Sequence, residues 1–232
     1  AKCILWADID NDGDQDLFIT YRLAANKLYI NQGDLVMTDV SAECGIDQTI
    51  RRSYGACFGD YDNDGLLDLF IANYVSGQDP PFNEFYRNLG SGNFEEVTFD
   101  FPMGEPLHQN FQGQWVDFDE DGLLDLNLIR DRLCFENKYY KQTEDGNFFN
   151  DAPDMGLDYS INAMCTATTD FDRDNDQDLY ISAGMFEGNH FVVNDGTGVF
   201  ELHEPVEGDS LTVNLTSWAG TWFDMDNDGW ED

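Results

Sequence analysis

Asp60-Tyr61-Asp62-Asn63-Asp64-Gly65-Leu66-Leu67-Asp68-Leu69-Phe70-Ile71 places aspartates at its first, third, fifth and ninth positions and a glycine at the sixth, then runs straight into apolar residues. The same frame, D-x-D-x-D-G/N-x-x-D, returns four times: at Asp8, Asp10, Asp12, Asp14 and Asp16; at Asp117, Asp119, Asp121 and Asp125; at Asp170, Asp172, Asp174, Asp176 and Asp178; and at Asp224, Asp226, Asp228 and Asp232. These five windows hold 22 of the chain's 34 aspartates. Glutamate, the better helix former, is scarcer, so the acid belongs to loops.

Carboxylates this dense repel one another unless neutralised, and Arg173 is the one cation inside any window. In a tight loop, positions 1, 3 and 5 turn their carboxylates inward. Glycine at position 6 takes the left-handed backbone that lets the chain curl. The carbonyl of position 7 (Asp14, Leu66, Leu123, Asp176, Trp230) then points in, and the aspartate at position 9 closes the shell. Such an all-oxygen cage suits a hard cation of calcium size and follows the first nine positions of an EF-hand loop. Asn175, at position 6 of the fourth copy, also tolerates the left-handed region. A solvated acidic turn explains any single copy, but five in one register favour metal, about five calcium ions in all. A true EF-hand is excluded. Position 12 is Ile19, Ile71, Leu128 or Ile181 where a bidentate glutamate is needed, and apolar strand-like segments flank the loops where helices are needed.

The first aspartates are spaced by 52, 57, 53 and 54 residues, a period expected of propeller blades. Within each period the segment Asn26 to Gly33 is matched by Asn83 to Gly90 and by Asn189 to Gly196. The third copy reads as Arg132 to Asn137, then an insertion, Lys138 to Glu144, before a turn at Asp145-Gly146. Each period thus predicts strand, aspartate loop, strand, turn, strand, hairpin, strand. The expected fold is all-β: a β-propeller of four-stranded antiparallel blades over 1–48, 49–104, 105–156 and 157–208, with a partial fifth over 209–232. A fifth loop left over suggests a segment of a larger ring of six to eight blades.

Charge narrows the partners. With 47 acidic against 11 basic residues the formal charge is −36, which excludes nucleic-acid binding by phosphate neutralisation and attraction to an anionic membrane surface. No apolar run approaches the ~20 residues of a membrane span, so no direct membrane insertion is expected in this segment. Hydrophobic residues, 41% of the chain, suffice for a core.

The loop followed by N-x-L-Y-x-N-x-G-x-F-x-D-V, fullest at Asp8 to Val40 and Asp60 to Val97, resembles the FG-GAP/VCBS repeat family of integrin-α-like calcium-binding blades, over essentially the whole chain. The resemblance implies a cell-surface or secreted propeller with calcium ligands at the five aspartate sets. The family spans adhesion and matrix proteins, lectins and a few polysaccharide-active enzymes. Asn175 and the blade around Cys134 depart from its pattern.

Cys3, Cys57 and Cys165 precede aspartate loops and read as buried thiols of inner strands; an extracellular setting leaves open a Cys44–Cys57 disulfide. His108, His190 and His203 share no spacing that points to catalysis. Asn214-Leu215-Thr216 is a glycosylation sequon. Trp115, Trp218, Trp222 and Tyr74 are placed between blades, with sugar stacking the alternative. The function expected is non-enzymatic: an extracellular calcium-stabilised propeller whose rim meets a protein or glycan partner in adhesion or in matrix or surface assembly. A carbohydrate-binding lectin is the alternative. A propeller polysaccharide lyase is a further one, needing His, Lys, Arg or Tyr clustered at a pore mouth. With so few basic residues, an acidic polysaccharide is expected to be held only through calcium.

Overall fold

The computed structural model describes residues 1–34, 36–74, 82–104, 109–184, 188–203 and 216–230. They form four sheets of four antiparallel strands, each in chain order. The first contains β1 (Ile4–Ala7), β2 (Asp16–Ile19), β3 (Lys27–Asn31) and β4 (Met37–Asp39); the second β5 (Ser53–Gly59), β6 (Asp68–Asn73), β7 (Glu84–Asn88) and β8 (Phe94–Glu96). The third contains β9 (Asn110–Val116), β10 (Asp125–Arg130), β11 (Lys138–Gln142) and β12 (Phe148–Asn150); the fourth β13 (Ala163–Thr169), β14 (Asp178–Ala183), β15 (His190–Asn194) and β16 (Phe200–Leu202). Pro102–Gly104 is a single 3₁₀ turn.

Each of the first four aspartate loops is the hairpin between the first two strands of a sheet. The residue at position 9 opens the second strand and pairs with the last residue of the first: Ala7 with Asp16, Gly59 with Asp68, Val116 with Asp125, Thr169 with Asp178. One register is thus repeated four times.

The sheets stack face to face, which explains why the second strands read as unbroken apolar runs instead of alternating ones. All six residues of β6 are buried. Leu69 and Ile71 pack with Ile9, Phe18 and Leu28 of the first repeat, while Phe70 and Ala72 pack with Leu126, Leu128 and Tyr140 of the third. A further core joins Val116, Ile129 and Tyr139 to Leu179, Ile181 and Phe200. Each pair of consecutive sheets therefore shares one core, and the sheets are propeller-like blades. Trp115 serves this packing, lying against Tyr61, Phe85 and Phe148.

Three expectations are corrected. In the third blade the third strand is Lys138–Gln142, so the supposed insertion is the strand itself, and Arg132 to Asn137 is the connection before it. The reading as an insertion equates Asn137 with the asparagine that ends the third strand in the other blades. Asn137 instead precedes the strand, where its Oδ1 accepts the Arg130 N–H, as Asn26, Asn83 and Asn189 accept those of Tyr21, Asn73 and Ala183. Second, Cys44 and Cys57 are free thiols, as are the other three cysteines. Cys44 donates to the Ser41 carbonyl, and burial pushes the Cys57 thiol well up. Third, residues 216–230 form no strand: Ser217 N–H donates to the Ala183 carbonyl, and Trp222 lies edge-on to Tyr180. His108, Asn214 and Asp232 lie outside the described residues.

The link from the first blade passes beneath the outer strand of the second. Gly45 sits there at φ +90°, and a Cβ on it would stand 2.1 Å from the Phe94 carbonyl oxygen. Gly146, also left-handed at φ +77°, has open space around it. Gly146→Ala is expected to cost about 1–2 kcal/mol from backbone strain alone. Gly45→Ala is expected to cost more than about 3 kcal/mol, because either that link or the β8 edge must move. Urea midpoints check the order, and equal losses would remove the steric argument.

Candidate metal centres

The five loops repeat one hydrogen-bond pattern. The position-1 carboxylate accepts the N–H groups of positions 5 and 6: Asp8 from Asp12 and Gly13, Asp60 from Asp64 and Gly65, Asp117 from Asp121 and Gly122, Asp170 from Asp174 and Asn175, Asp224 from Asp228 and Gly229, all at 2.9–3.2 Å. The position-5 carboxylate accepts the N–H of position 7: Asp12 from Asp14, Asp64 from Leu66, Asp121 from Leu123, Asp174 from Asp176, Asp228 from Trp230. Position 6 is left-handed throughout, from φ +77° at Asn175 to +94° at Gly229. The unpredicted feature is position 4, left-handed as well at Asn11, Asn63, Glu120, Arg173 and Asn227. Asparagine at three of those five positions was the signal for it.

Carboxylate oxygens gather within 4.8 Å of one another in each loop: Asp8, Asp10 and Asp16; Asp60, Asp62 and Asp68; Asp170, Asp172 and Asp178; Asp117, Asp119 and Asp121; Asp224, Asp226 and Asp228. The first, second and fourth loops thus close through position 9 as expected. The third gathers positions 1, 3 and 5; the fifth also gathers positions 1, 3 and 5, its position 9, Asp232, lying outside the described residues.

Position 9 is anchored from behind. Asp16, Asp68, Asp125 and Asp178 are fully buried, and each accepts the backbone N–H of the residue ending the third strand, Asn31, Asn88, Gln142 or Asn194. The side chains of Asn88, Gln142 and Asn194 then donate to the position-2 carbonyl of the preceding blade's loop, at Ile9, Tyr61 and Phe118. The first four loops are therefore held by their own blades, and the first three are also clamped by the next blade. Gln142 was missed because it replaces the repeated asparagine.

Asp10 Oδ1, Asp119 Oδ1 and both oxygens of Asp176 are buried with no hydrogen-bond donor. A buried carboxylate oxygen without a partner is costly, and a cation is the partner this donor set fits. Burial raises Asp68 to about 7, and burial together with Asp174 raises Asp176 to about 7, so both disfavour carrying their charge alone.

The third loop fits a cation less well. Lys141 on β11 donates its ammonium to Asp119, and the Tyr139 hydroxyl donates to Asp125 Oδ2. The residues matching Lys141 in the first, second and fourth blades are Ile30, Arg87 and Val193, and Arg87 pairs with Glu95. Here alone among the described loops, a lysine bonded to position 3 supplies positive charge.

Repeats, blades and loops together define a class, and the chain belongs to the FG-GAP-like repeat family, which it matches over residues 8–71 and 60–128. It is similar to cartilage acidic protein 1 of Xenopus tropicalis, with 27% identity over 183 residues, and of Homo sapiens, with 26% over 189. The matches cover 76% and 75% of this chain, which spans 28% of the length of either relative. In three dimensions it is similar to a lectin of Agrocybe aegerita described for its specific recognition of non-reducing terminal N-acetylglucosamine. That likeness has a TM-score of 0.53 at 20% identity, over 87% of this chain and 52% of the lectin chain, and concerns the fold.

Proposed function

We propose that this chain is part of an extracellular β-propeller for recognition, in adhesion or in matrix or surface assembly, without catalytic activity, in which calcium is a structural ion of the aspartate loops. One observation carries the calcium reading: five loops share one hydrogen-bonded frame that gathers three carboxylates within 4.8 Å, and in the first, third and fourth of them buried carboxylate oxygens lack donors. Asp8, Asp10 and Asp16, Asp60, Asp62 and Asp68, and Asp170, Asp172 and Asp178 would hold the ion in the first, second and fourth loops. Calcium supplies positive charge there. The chain's own part is to preset the ligands through the position-1 hydrogen bonds and, in the first and second loops, the clamp from the next blade. The name of the similar proteins, cartilage acidic protein 1, supports an extracellular setting and matches the −36 charge.

Calorimetric titration with calcium tests the reading. Saturable binding at micromolar to millimolar concentrations is expected at the first, second and fourth loops. No binding at millimolar calcium would overturn it. Lys141→Gln removes the charge competing in the third loop, so one further site of comparable affinity is expected to emerge; an unchanged number would show that Lys141 is not what sets that loop apart.

A further inference from the structure

The aspartate loops occupy one end of the sheets, between the first and second strands. The opposite end, where first strands begin and second strands finish, encloses a cavity of 580 Å³. Four of the chain's 11 basic residues line it: Lys2, Arg22, Arg52 and Arg132. They come from three successive blades and are far apart in sequence, so the chain's charge is polarised, with acid at one end and a basic cavity at the other. Among the described residues the acid lining the cavity is Asp131, buried at 4% exposure, whose Oδ2 accepts the Tyr74 hydroxyl at 2.8 Å and lies 3.5 Å from Arg132. The described lining therefore keeps a net charge of about +3. Arg132 is held at φ +110°, a region that disfavours any residue with a Cβ, and such strain gathers at functional positions.

The apolar part of the wall is aromatic. Tyr54 stacks on Tyr74 at 4.9 Å, tilts against Phe111 at 5.0 Å and has the Lys2 ammonium 4.4 Å from its ring centre, so its ring is already engaged. Trp218, 66% exposed, offers its ring to the cavity. A platform ring beside guanidinium groups selects a ligand with a flat apolar face and an acid group. A pyranose with a carboxylate is such a molecule, and the volume suits one or two sugar rings. The chain's net charge of −36 repels a long polyanion while leaving a single terminal acid free to enter the basic cavity.

We propose that this cavity binds the end of a neutral glycan capped by one carboxylated sugar, with Arg22, Arg52 and Arg132 receiving the carboxylate and Trp218 the sugar face. The proposal rests on the recognition reading and names its ligand class. It concerns a single terminal acid, and the expectation that an acidic polysaccharide is held only through calcium stands beside it.

The test is calorimetric titration of the chain in calcium with two matched pairs: sialyllactose against lactose, and cellobiouronic acid against cellobiose. At least one acid-capped member is expected to bind about tenfold or more tightly than its neutral partner, and to weaken as salt rises. Arg22→Gln and Trp218→Ala alter exposed side chains, so each should keep its calcium-dependent melt while losing that preference or the binding itself. Neither acid-capped sugar outbinding its neutral partner would overturn the proposal. So would acetate or an acidic peptide matching the best sugar, because charge alone would then be read. Hydrolysis of a probe would overturn it in favour of a glycoside-cleaving enzyme. Failure of calcium binding with sugar selectivity intact would defeat the reading of the loops and leave the cavity's assignment standing.

Discussion

Chelation of calcium is expected to lower the melting temperature by about 15–30 °C. An ion that binds the folded loop and not the unfolded chain stabilises by mass action, about 2.7 kcal/mol per site at a hundred times its dissociation constant. Three well-formed loops then contribute about 8 kcal/mol, and a chain of this length shifts by about 2–4 °C per kcal/mol. The effect also has a predicted dependence on pH. Asp68 and Asp176 titrate near 7 in the metal-free fold because they are buried, against about 4 when unfolded. Between those values the fold binds more protons than the unfolded chain, so metal-free stability falls as pH rises through 7. Calcium must displace these protons, so its stabilising increment shrinks as pH is lowered from 8 to 6. Scanning calorimetry in calcium and in chelator at both pH values checks the size and the sign. Coincident melts would defeat the calcium reading.

The loops were legible because their chemistry is local. Nine residues carry the ligands, the turn and the start of the next strand, and the glycine at position 6 announces the backbone. Blade architecture was legible for a related reason: the period is long, and second strands such as β6 and β10 are buried on both faces, so their apolar runs stand out. What failed was non-local. The third blade was misread because Gln142 performs the role of Asn31, Asn88 and Asn194 with a longer side chain, and the pattern then slid to Asn137. Lys141 sits 22 residues from Asp119, and only the pairing of β10 with β11 brings them together. The basic cavity was invisible for the same reason. Its four cations are scattered through a sequence whose total charge points the other way, and stacking of the blades collects them.

The largest single-residue effect is expected outside the loops, at Arg51. This arginine, 7% exposed, lies in the link between the first two blades and donates to Asp47 at 2.8 Å and to Glu84 at 3.3 Å. Glu84, 1% exposed, also accepts the Tyr86 hydroxyl at 2.7 Å and the Asn73 amide at 2.9 Å, so both its oxygens are engaged. Burial raises the Glu84 carboxyl and Arg51 is the strongest influence lowering it. Arg51→Ala leaves that carboxylate buried without its cation, a loss worth about 3–5 kcal/mol, or a fall of about 6–20 °C in melting temperature. Because Glu84 is then raised further, the variant's fold holds a proton that the unfolded chain releases, and its deficit should narrow as pH falls from 8 towards 5. Adding Glu84→Gln should recover part of the loss at neutral pH, since the amide oxygen still accepts from Tyr86 or Asn73 without carrying charge. Thermal melts of the single and double variants across that range decide it. A deficit independent of pH and unrelieved by Glu84→Gln would mean that Arg51 acts by packing over Phe82, whose ring lies 4.9 Å from its guanidinium, and not by pairing the buried acid.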